Sequence, residues 1–327
     1  MPRLVLRLCL LAVLLASCSA AATPTSSADI TTPTNAPEPT MIPSPSAPQF
    51  IILAYATDGI FADIIPYGKL THINYSFLTP KADGSFNPIN NSWKLKQIVQ
   101  TGREHNVRVS ISVGGWGWDA QFEELAANPE SRRTFVRNLK AFVDEYQLDG
   151  VDMDWEYPDP GQSSQNFLAL IIELRAAMPD KLLTTAAVSY GDDNGSGIPT
   201  ESFEIFDFIN IMTYDGPDHG TLEQFERGLS YWSGRGLPAE KIVMGVPFYG
   251  DPNMPYFKIV EADPNAAQTD TFSYHGTTYH YNGIPMIQTK TRMAMERAGG
   301  IMFWALDHDA QGDLSLVNAI HQTVHEP

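Results

Sequence analysis

Short apolar runs alternate with segments of helical periodicity along most of the chain, from residue 50 onward. Short, nearly continuous apolar runs between helices are typical of strands that are buried on both faces of a parallel sheet. We predict eight such strands, at residues 50–56, 71–77, 107–113, 150–155, 182–188, 206–212, 242–246 and 300–304.

The segments between these runs carry ordinary helix boundary signals. A helical pattern over 129–146 opens at Asn128-Pro129, one over 166–178 stops at Pro179, and one over 283–297 ends before a glycine pair. Eight strand-helix units predict a TIM (β/α)8 barrel over residues 50–327. An open doubly wound sheet would carry a glycine-rich turn after its first strand, and none follows.

The residues before the predicted barrel have the composition of an export leader and a tether. Arginines precede an apolar run at 8–15 that is too short to span a bilayer, so we predict a signal peptide at residues 1–17. Its end is similar to a bacterial lipobox, which implies a lipidated Cys18; cleavage near residues 19–21 is the alternative. Residues 18–49, rich in Pro, Thr and Ser, are predicted to be an anchored linker holding an exported protein outside the membrane of a bacterial cell.

Charge and cysteine content argue against nucleic-acid binding and against disulfide or thiol chemistry. The chain has 38 acidic and 21 basic residues and a formal net charge of −17, with no basic stripe that would bind nucleic acid. Its two cysteines, Cys9 and Cys18, both precede the predicted barrel. We therefore expect a monomer that is stabilised by its hydrophobic core, without disulfides or thiol chemistry.

Three acidic side chains share one face of the predicted fourth strand. Residues 149–156 read DGVDMDWE, and the alternation of a strand places Asp152, Asp154 and Glu156 on one side. Carboxylates this close cannot all ionise cheaply when buried. A solvated edge strand is the simpler alternative, but the apolar opposite face and the following Pro158 indicate a buried strand with an exposed tip. This pattern favours catalysis.

Chemically unusual residues also follow other predicted strands, at the end where TIM-barrel enzymes place their active sites. The segments are SVGGW at 112–116, MTYD at 212–215, PFYG at 247–250 and FW at 303–304. A glycine pair alone is more often a tight turn, and a tryptophan alone is more often part of the core. Their shared position predicts a single site at one rim of the barrel.

The DxxDxDxE pattern of residues 149–156 resembles the signature of family 18 glycoside hydrolases, which include chitinases and endo-β-N-acetylglucosaminidases. The SxGG, MxYD and PFYG segments and the eighth-strand tryptophan are similar to secondary signatures of that family. The resemblance implies retaining hydrolysis of β-1,4-linked N-acetylglucosamine glycans, with the acetamido oxygen of the substrate as nucleophile. It implies no cofactor or metal, and the histidines show no ligand spacing.

The resemblance also implies roles for the acids. Glu156 would be the general acid, and Asp154 would accept a hydrogen bond from the acetamido N–H and keep Glu156 protonated. Asp152 lies deeper and would share a proton with Asp154 or find donors, with Ser112 as a candidate. Asp149 is expected to be structural.

Substrate contacts are expected from the other rim segments. Tyr214 would bind the acetamido oxygen, Asp215 would hold a sugar hydroxyl or orient Tyr214, and Met212 belongs to the same motif. Trp304 would lie under the sugar, because a flat apolar face matches the C–H side of a pyranose. Trp116 is expected on the leaving-group side. The weaker rim candidates are Trp118 and Tyr249, and Tyr55, at the end of the first strand, would support the acids or pack in the core.

The segment 251–297 is predicted to hold only a hairpin around His275-Gly276 and a helix, so the barrel lacks the sizeable α+β domain that many members insert there. We therefore expect an open groove and endo attack without strong processivity. The same chemistry could instead cut the core of N-glycans or a cell-wall glycan. A lectin-like barrel without turnover is a further alternative, against which the intact Glu156 and Asp154 argue. A tethered scaffold or solute-binding protein would need no converging acids.

Overall fold

Eight parallel strands close into a barrel in the computed structural model, which describes residues 49–191 and 194–326. The strands are Ile51–Thr57, His72–Leu78, Arg108–Gly114, Gly150–Asp154, Leu182–Val188, Phe208–Met212, Ile242–Pro247 and Gly300–Trp304. Each strand pairs with the next one along the chain, and the first closes on the eighth, with Ile51 opposite Gly300. The TIM-barrel prediction is confirmed. The predicted signal peptide, Cys18 and nearly all of the linker lie outside the described residues.

Eight α-helices occur within the described residues. They are α1 (Ser92–Glu104), α2 (Asp119–Ala127), α3 (Pro129–Tyr146), α4 (Gln162–Ala177), α5 (Leu222–Gly234), α6 (Tyr256–Ala262), α7 (Ile284–Arg297) and α8 (Leu316–His325). None of the helices in this part of the chain is both long and apolar enough to cross a membrane.

Local sequence explains where the long helix α3 begins and ends. Asn128 caps it by accepting a hydrogen bond from the backbone N–H of Glu130 at 2.8 Å, and Pro129 occupies its first turn, where no N–H is needed. The helix ends where Gln147 adopts a left-handed conformation with φ +55°. The predicted range of this helix is confirmed.

Other boundaries shift, and α2 and α6 are additional to the one helix predicted for each of their segments. The fourth strand ends at Asp154 rather than at residue 155, and the sixth begins at Phe208, because 3₁₀ helix Thr200–Glu204 and a turn occupy the residues before it. Helices α2 and α6 are short, so each offers few repeats of the helical spacing on which the prediction depends.

The hydrophobic core has two parts, separated by the wall of strands. Residues that point outward pack against the helices: Trp155 stacks on Phe122 at 5.2 Å between ring centroids and meets Phe167 edge-on at 5.9 Å. A second, smaller cluster fills the barrel interior with residues such as Leu53, Ala186, Phe208 and Met302, and it contains several of the predicted site residues. The fourth strand therefore presents its apolar side chains to the helices and its acids to the interior.

The segment between the seventh and eighth strands is small. A hairpin of Thr271–Tyr274 and Thr277–His280 turns at His275-Gly276, as predicted. The rest of the segment contains α6, α7 and short paired strands. The barrel thus has no sizeable insertion domain at this position.

Candidate active site

A cleft of about 250 Å³ lies at the carboxyl ends of the barrel strands. Its wall brings together side chains from five of the strand ends that the sequence marked, and from the second strand as well. The lining residues are Tyr55, Phe77, Gly114, Gly115, Trp116, Trp118, Asp154, Glu156, Met212, Tyr214, Asp215 and Trp304.

Asp152 is the deepest acid, fully buried, and its carboxylate is surrounded by donors. Tyr55 and Ser112 each donate a hydroxyl to one carboxylate oxygen at 2.8 Å. Thr184 donates to the other oxygen at 2.6 Å and the Asn210 side-chain amide at 3.1 Å. Burial raises the pKa of Asp152, and these four hydrogen bonds oppose that shift. Of the two expected arrangements, Asp152 therefore adopts the one in which hydrogen-bond donors surround it, and the predicted Ser112 is one of them. Tyr55 is another, so it supports the acids.

The two donors that sequence reasoning missed, Thr184 and Asn210, come from the fifth and sixth strands. Thr184 lies directly opposite Asp152 in the strand register, as Ser112 does on the other side. For Thr184 the available signal was an inward-pointing polar residue at the matching position of the neighbouring strand. Reading that signal requires the register, which periodicity alone does not provide. Asn210 lies opposite Ala186 in the register and reaches Asp152 from a strand that does not neighbour the fourth.

Asp154 lies nearer the cleft and is less well satisfied. It is buried, and its Oδ1 atom has no hydrogen-bond partner. Burial raises the pKa of Asp154 well above its usual value, and the neighbouring charges of Glu156 and Asp152 raise it further. Asp154 also lines the cleft wall, so its carboxyl group is placed to meet a ligand that brings an N–H or O–H group.

Glu156 follows the fourth strand at the tip and faces the cleft. Burial raises the pKa of Glu156 to about 7, a hydrogen bond with Tyr157 opposes this shift, and the charge of Asp215 reinforces it. A carboxyl with such a pKa is largely protonated below neutral pH, which is what a general acid requires. Tyr157 was not among the predicted residues.

The Asp215 carboxylate has Tyr249 and His219 as partners. The Tyr249 hydroxyl donates a short hydrogen bond to Asp215 Oδ1. Burial would raise the pKa of Asp215, but contacts with His219 and Tyr249 outweigh it and hold the pKa below its usual value. Asp215 thus carries a negative charge beside Glu156. Tyr249, expected at the rim, is only 9% exposed and serves as a partner of Asp215 in the wall behind the cleft.

Aromatic side chains form the floor and one edge of the cleft. The Trp304 ring is partly exposed, lies 5.8 Å from the Tyr55 ring and stacks on Phe77 at 5.4 Å. Trp116 stands at the rim with 79% of its surface exposed. Phe77 was missed, although it lies at the end of the second strand, where the rim rule should have been applied.

Two acidic groups outside the cleft have structural roles. Asp149 accepts a hydrogen bond from the backbone N–H of Val109 at 2.8 Å, before the fourth strand begins. Asp309 accepts the N–H groups of Leu316 at 2.8 Å and Val317 at 3.2 Å, and so caps α8. Within residues 49–191 and 194–326, no group of three or more His, Cys, Asp or Glu residues could hold a metal ion.

The chain is similar to known chitinases in sequence and in fold. Chitinase 1 of Aphanocladium album is 26% identical over 79% of this chain and 80% of its own length. A probable endochitinase of Caenorhabditis elegans is 32% identical over 56% of this chain, which spans about a third (36%) of that longer relative. The crystal structure of a chitinase from Bacteroides thetaiotaomicron superposes with a TM-score of 0.77 at 29% identity and covers 85% of this chain and 97% of that one.

A family model matches most of the barrel as well. The model of glycosyl hydrolases family 18 covers residues 51–309, from the first strand to the turn before α8, and so includes every residue of the cleft. The chain therefore belongs to glycosyl hydrolases family 18.

Proposed function

We propose that the protein hydrolyses β-1,4-linked N-acetylglucosamine glycans, chitin or its oligosaccharides, with retention of configuration. The observation that carries this proposal is the pairing of Glu156, whose pKa is raised to about 7, with Asp154 in the wall of the same cleft. The first is suited to protonate a leaving oxygen, and the second is suited to accept an amide N–H. Membership of family 18 and similarity to chitinases support the same substrate class.

The chemistry proceeds in two steps. Glu156 gives its proton to the glycosidic oxygen as the bond from that oxygen to the anomeric carbon breaks. The acetamido oxygen of the same sugar bonds to that carbon, and the N–H of the resulting oxazolinium ion donates to Asp154. Water then attacks the anomeric carbon as the bond from that carbon to the acetamido oxygen breaks, and the water gives a proton to the Glu156 carboxylate. This step restores the acetamido group and the protonated form of Glu156.

Asp152 does not act as a protein nucleophile in this scheme. Its side chain is fully buried, and both of its oxygens accept hydrogen bonds from neighbouring strands. Attack on a sugar would require the loss of those bonds. Asp152 instead holds the deepest position among the three acids of the fourth strand. Its like-charge repulsion keeps Asp154 from ionising.

Tyr214 supplies the donor that holds the acetamido oxygen near the anomeric carbon. Burial, together with the neighbouring Tyr249 and Asp154, raises the pKa of the Tyr214 hydroxyl well above its usual value, so it stays protonated. The residue lines the cleft on the side of Asp215. The partly exposed Trp304 offers its face to the sugar ring from below.

Incubation with a chromogenic chitobioside and chitotrioside tests this function, with Glu156→Gln beside the wild type. The exposed Glu124→Gln on α2 is the matched control, because it makes the same chemical change away from the cleft. We expect turnover in wild type and Glu124→Gln and its loss in Glu156→Gln. Equal rates in all three proteins would reject Glu156 as the acid.

Two further substrates and one product analysis complete the test. Release of sugar from an N-glycan or a cell-wall glycan, without cleavage of chito-oligosaccharides, would favour the alternative substrates. Sugar binding by wild type without any turnover would favour a lectin-like barrel. An α-anomer as the first product would reject retention and with it the acetamido nucleophile.

We also propose that the protein is exported and anchored by lipid at Cys18, outside the cell, as a monomer. The support is the N-terminal sequence: an apolar run preceded by arginines, the cysteine, and the Pro- and Thr-rich stretch up to residue 49. Labelling cells with a radioactive fatty acid should mark the wild type and not Cys18→Ser. Label on both proteins, or on neither, would contradict the anchor.

A further inference from the structure

The loop between the sixth strand and α5 carries Tyr214 and Asp215 and has an unusual backbone. Asp215 adopts a left-handed conformation with φ +63°, which costs a non-glycine residue free energy unless its surroundings hold it. Side chains bind both backbone groups of this residue. Its N–H donates to His219 Nδ1 at 2.9 Å, and its C=O accepts from Gln224 Nε2 at 2.9 Å.

Gln224 joins the two ends of this loop through one buried side-chain amide. Its Nε2 also donates to the C=O of Tyr214 at 3.3 Å, and its Oε1 accepts the N–H of Gly220 at 3.0 Å. Only 2% of the residue is exposed. A single side chain therefore contacts the backbone of both cleft residues of the loop and the residue where the loop ends.

Helix capping does not account for these contacts. Thr221 caps α5 by accepting the backbone N–H of Gln224 at 3.1 Å, the start of a capping box. In that motif the third helical residue would return its side chain to the N–H of the cap residue. Here that N–H donates to the C=O of Asp218 at 3.0 Å, and the Gln224 side chain is directed to the loop instead.

The far end of the loop is fixed from another helix. The C=O of Gly220 accepts hydrogen bonds from Lys290 Nζ of α7 at 2.6 Å and from the Asn282 side chain at 2.7 Å. Lys290 is fully buried, and it also donates to Asn282 Oδ1 at 2.7 Å. Gln224 thus holds Tyr214 and Asp215 against a point that cannot move freely.

We propose that Gln224 is a positioning residue that sets the place of Tyr214 and Asp215 relative to Glu156. The inference rests on the proposed function for its kinetic consequences, but its structural content is independent of the reaction. Loss of the two donated hydrogen bonds would release the left-handed turn at Asp215 while leaving the Thr221 cap in place.

The loop also bears on the titration of Glu156. The negative charge of Asp215 raises the pKa of Glu156, so a loop that moves away lowers that pKa and brings the loss of the acid form to lower pH. The other titratable groups that interact with Glu156 are Asp154, Tyr157, Tyr214 and Tyr249. Of these, only Tyr214 belongs to the loop.

Two variants separate the donor from the rest of the side chain. Gln224→Met removes every side-chain hydrogen bond at nearly the same volume. Gln224→Glu keeps an acceptor for Gly220 and a favourable charge at the start of α5, and loses the amide donor. The control is Asn128→Ala, which removes a helix cap on α3, away from the cleft, at a cost in stability.

Kinetics and backbone hydrogen exchange of the full chain are measured for all four proteins. For both Gln224 variants we expect kcat to fall about 10- to 100-fold with little change in KM, since a small misplacement of reacting groups is costly. The alkaline limb of the pH profile should move to lower pH, and amides in residues 213–221 should exchange faster. Asn128→Ala should change none of these three readouts.

The outcomes are distinguishable from those for the function itself. Unchanged exchange in residues 213–221 of Gln224→Met, or kinetic constants and a pH profile equal to those of Asn128→Ala, would overturn the positioning role. A wild type without glycosidase activity would refute the proposed function, and hydrogen exchange would still decide whether Gln224 holds the loop.

Discussion

Replacement of Glu156 by Gln should stabilise the protein at alkaline pH and leave its stability at acid pH nearly unchanged. The carboxyl group has an ordinary pKa of 4.5, and burial in the folded protein raises it to about 7. A protonated carboxyl and a carboxamide have nearly the same shape. The variant therefore differs from wild type chiefly in the pH range where the wild-type carboxyl ionises.

The direction of the effect follows from proton linkage. Below pH 4.5, Glu156 is protonated in both the folded and the unfolded chain, and its raised pKa has no cost. Between 4.5 and 7 the unfolded chain has released the proton and the folded protein keeps it, so wild-type stability falls as pH rises. Above pH 7 the folded protein bears the full cost of a buried, ionised Glu156.

The size of the effect follows from the shift itself. One pKa unit corresponds to about 1.4 kcal/mol, so a rise from 4.5 to about 7 corresponds to ~3 kcal/mol at pH 8. The substitution also removes a negative charge that raises the pKa of Asp154, which adds to the stabilisation. The free energy of unfolding of Glu156→Gln should thus exceed that of wild type by this order at pH 8.

Urea unfolding at pH 4 and pH 8 measures the difference directly. Wild type, Glu156→Gln and the surface control Glu124→Gln are compared at both values. The expected result is a gain at pH 8 that vanishes at pH 4 for Glu156→Gln and is absent for Glu124→Gln. If the two Gln variants showed the same pH dependence as wild type, the pKa of Glu156 would not be raised and it could not serve as the acid in the proposed way.

Three further results are expected. Because the protonated form of Glu156 is the reactive one and its pKa is about 7, a plot of kcat/KM against pH should fall tenfold per pH unit well above that value; a flat alkaline side would contradict this. Tyr214→Phe should lower kcat by about 10²-fold through loss of one positioned donor, and Asp154→Asn at least as much, both measured with the chitotrioside; near-normal rates would count against the acetamido mechanism. Trp155→Ala should cost about 3–5 kcal/mol in urea unfolding, since it empties the space between Phe122 and Phe167, and a smaller loss would mean that α2 and α4 collapse into it.

The barrel could be predicted because each strand is an apolar run that the helices must cover. The acids at 152, 154 and 156 could be placed together because alternation along one strand requires no knowledge of its neighbours. Trp304 and Tyr214 followed from the rule that barrel chemistry collects at the carboxyl ends of strands.

Contacts between strands and loops could not be predicted in the same way. Thr184 reaches Asp152 through the strand register, and Asn210 reaches it from a strand that does not neighbour the fourth; a periodicity carries neither kind of information. Asp215 was expected to hold a sugar hydroxyl or to orient Tyr214, and the folded chain brings the Tyr249 hydroxyl, from just after the seventh strand, to its carboxylate. Gln224 carries the sequence mark of a helix start, and only the coordinates show its second set of partners.

The alternation along the fourth strand limits how this gene can change. Successive side chains of Gly150–Asp154 point to opposite sides of the wall, so the loss or gain of one codon there would exchange them all. Carboxylates would then enter the layer of Phe122 and Phe167, and Trp155 would enter the cleft. Descendants of this sequence should therefore vary here by substitution alone and collect insertions in the turns on either side.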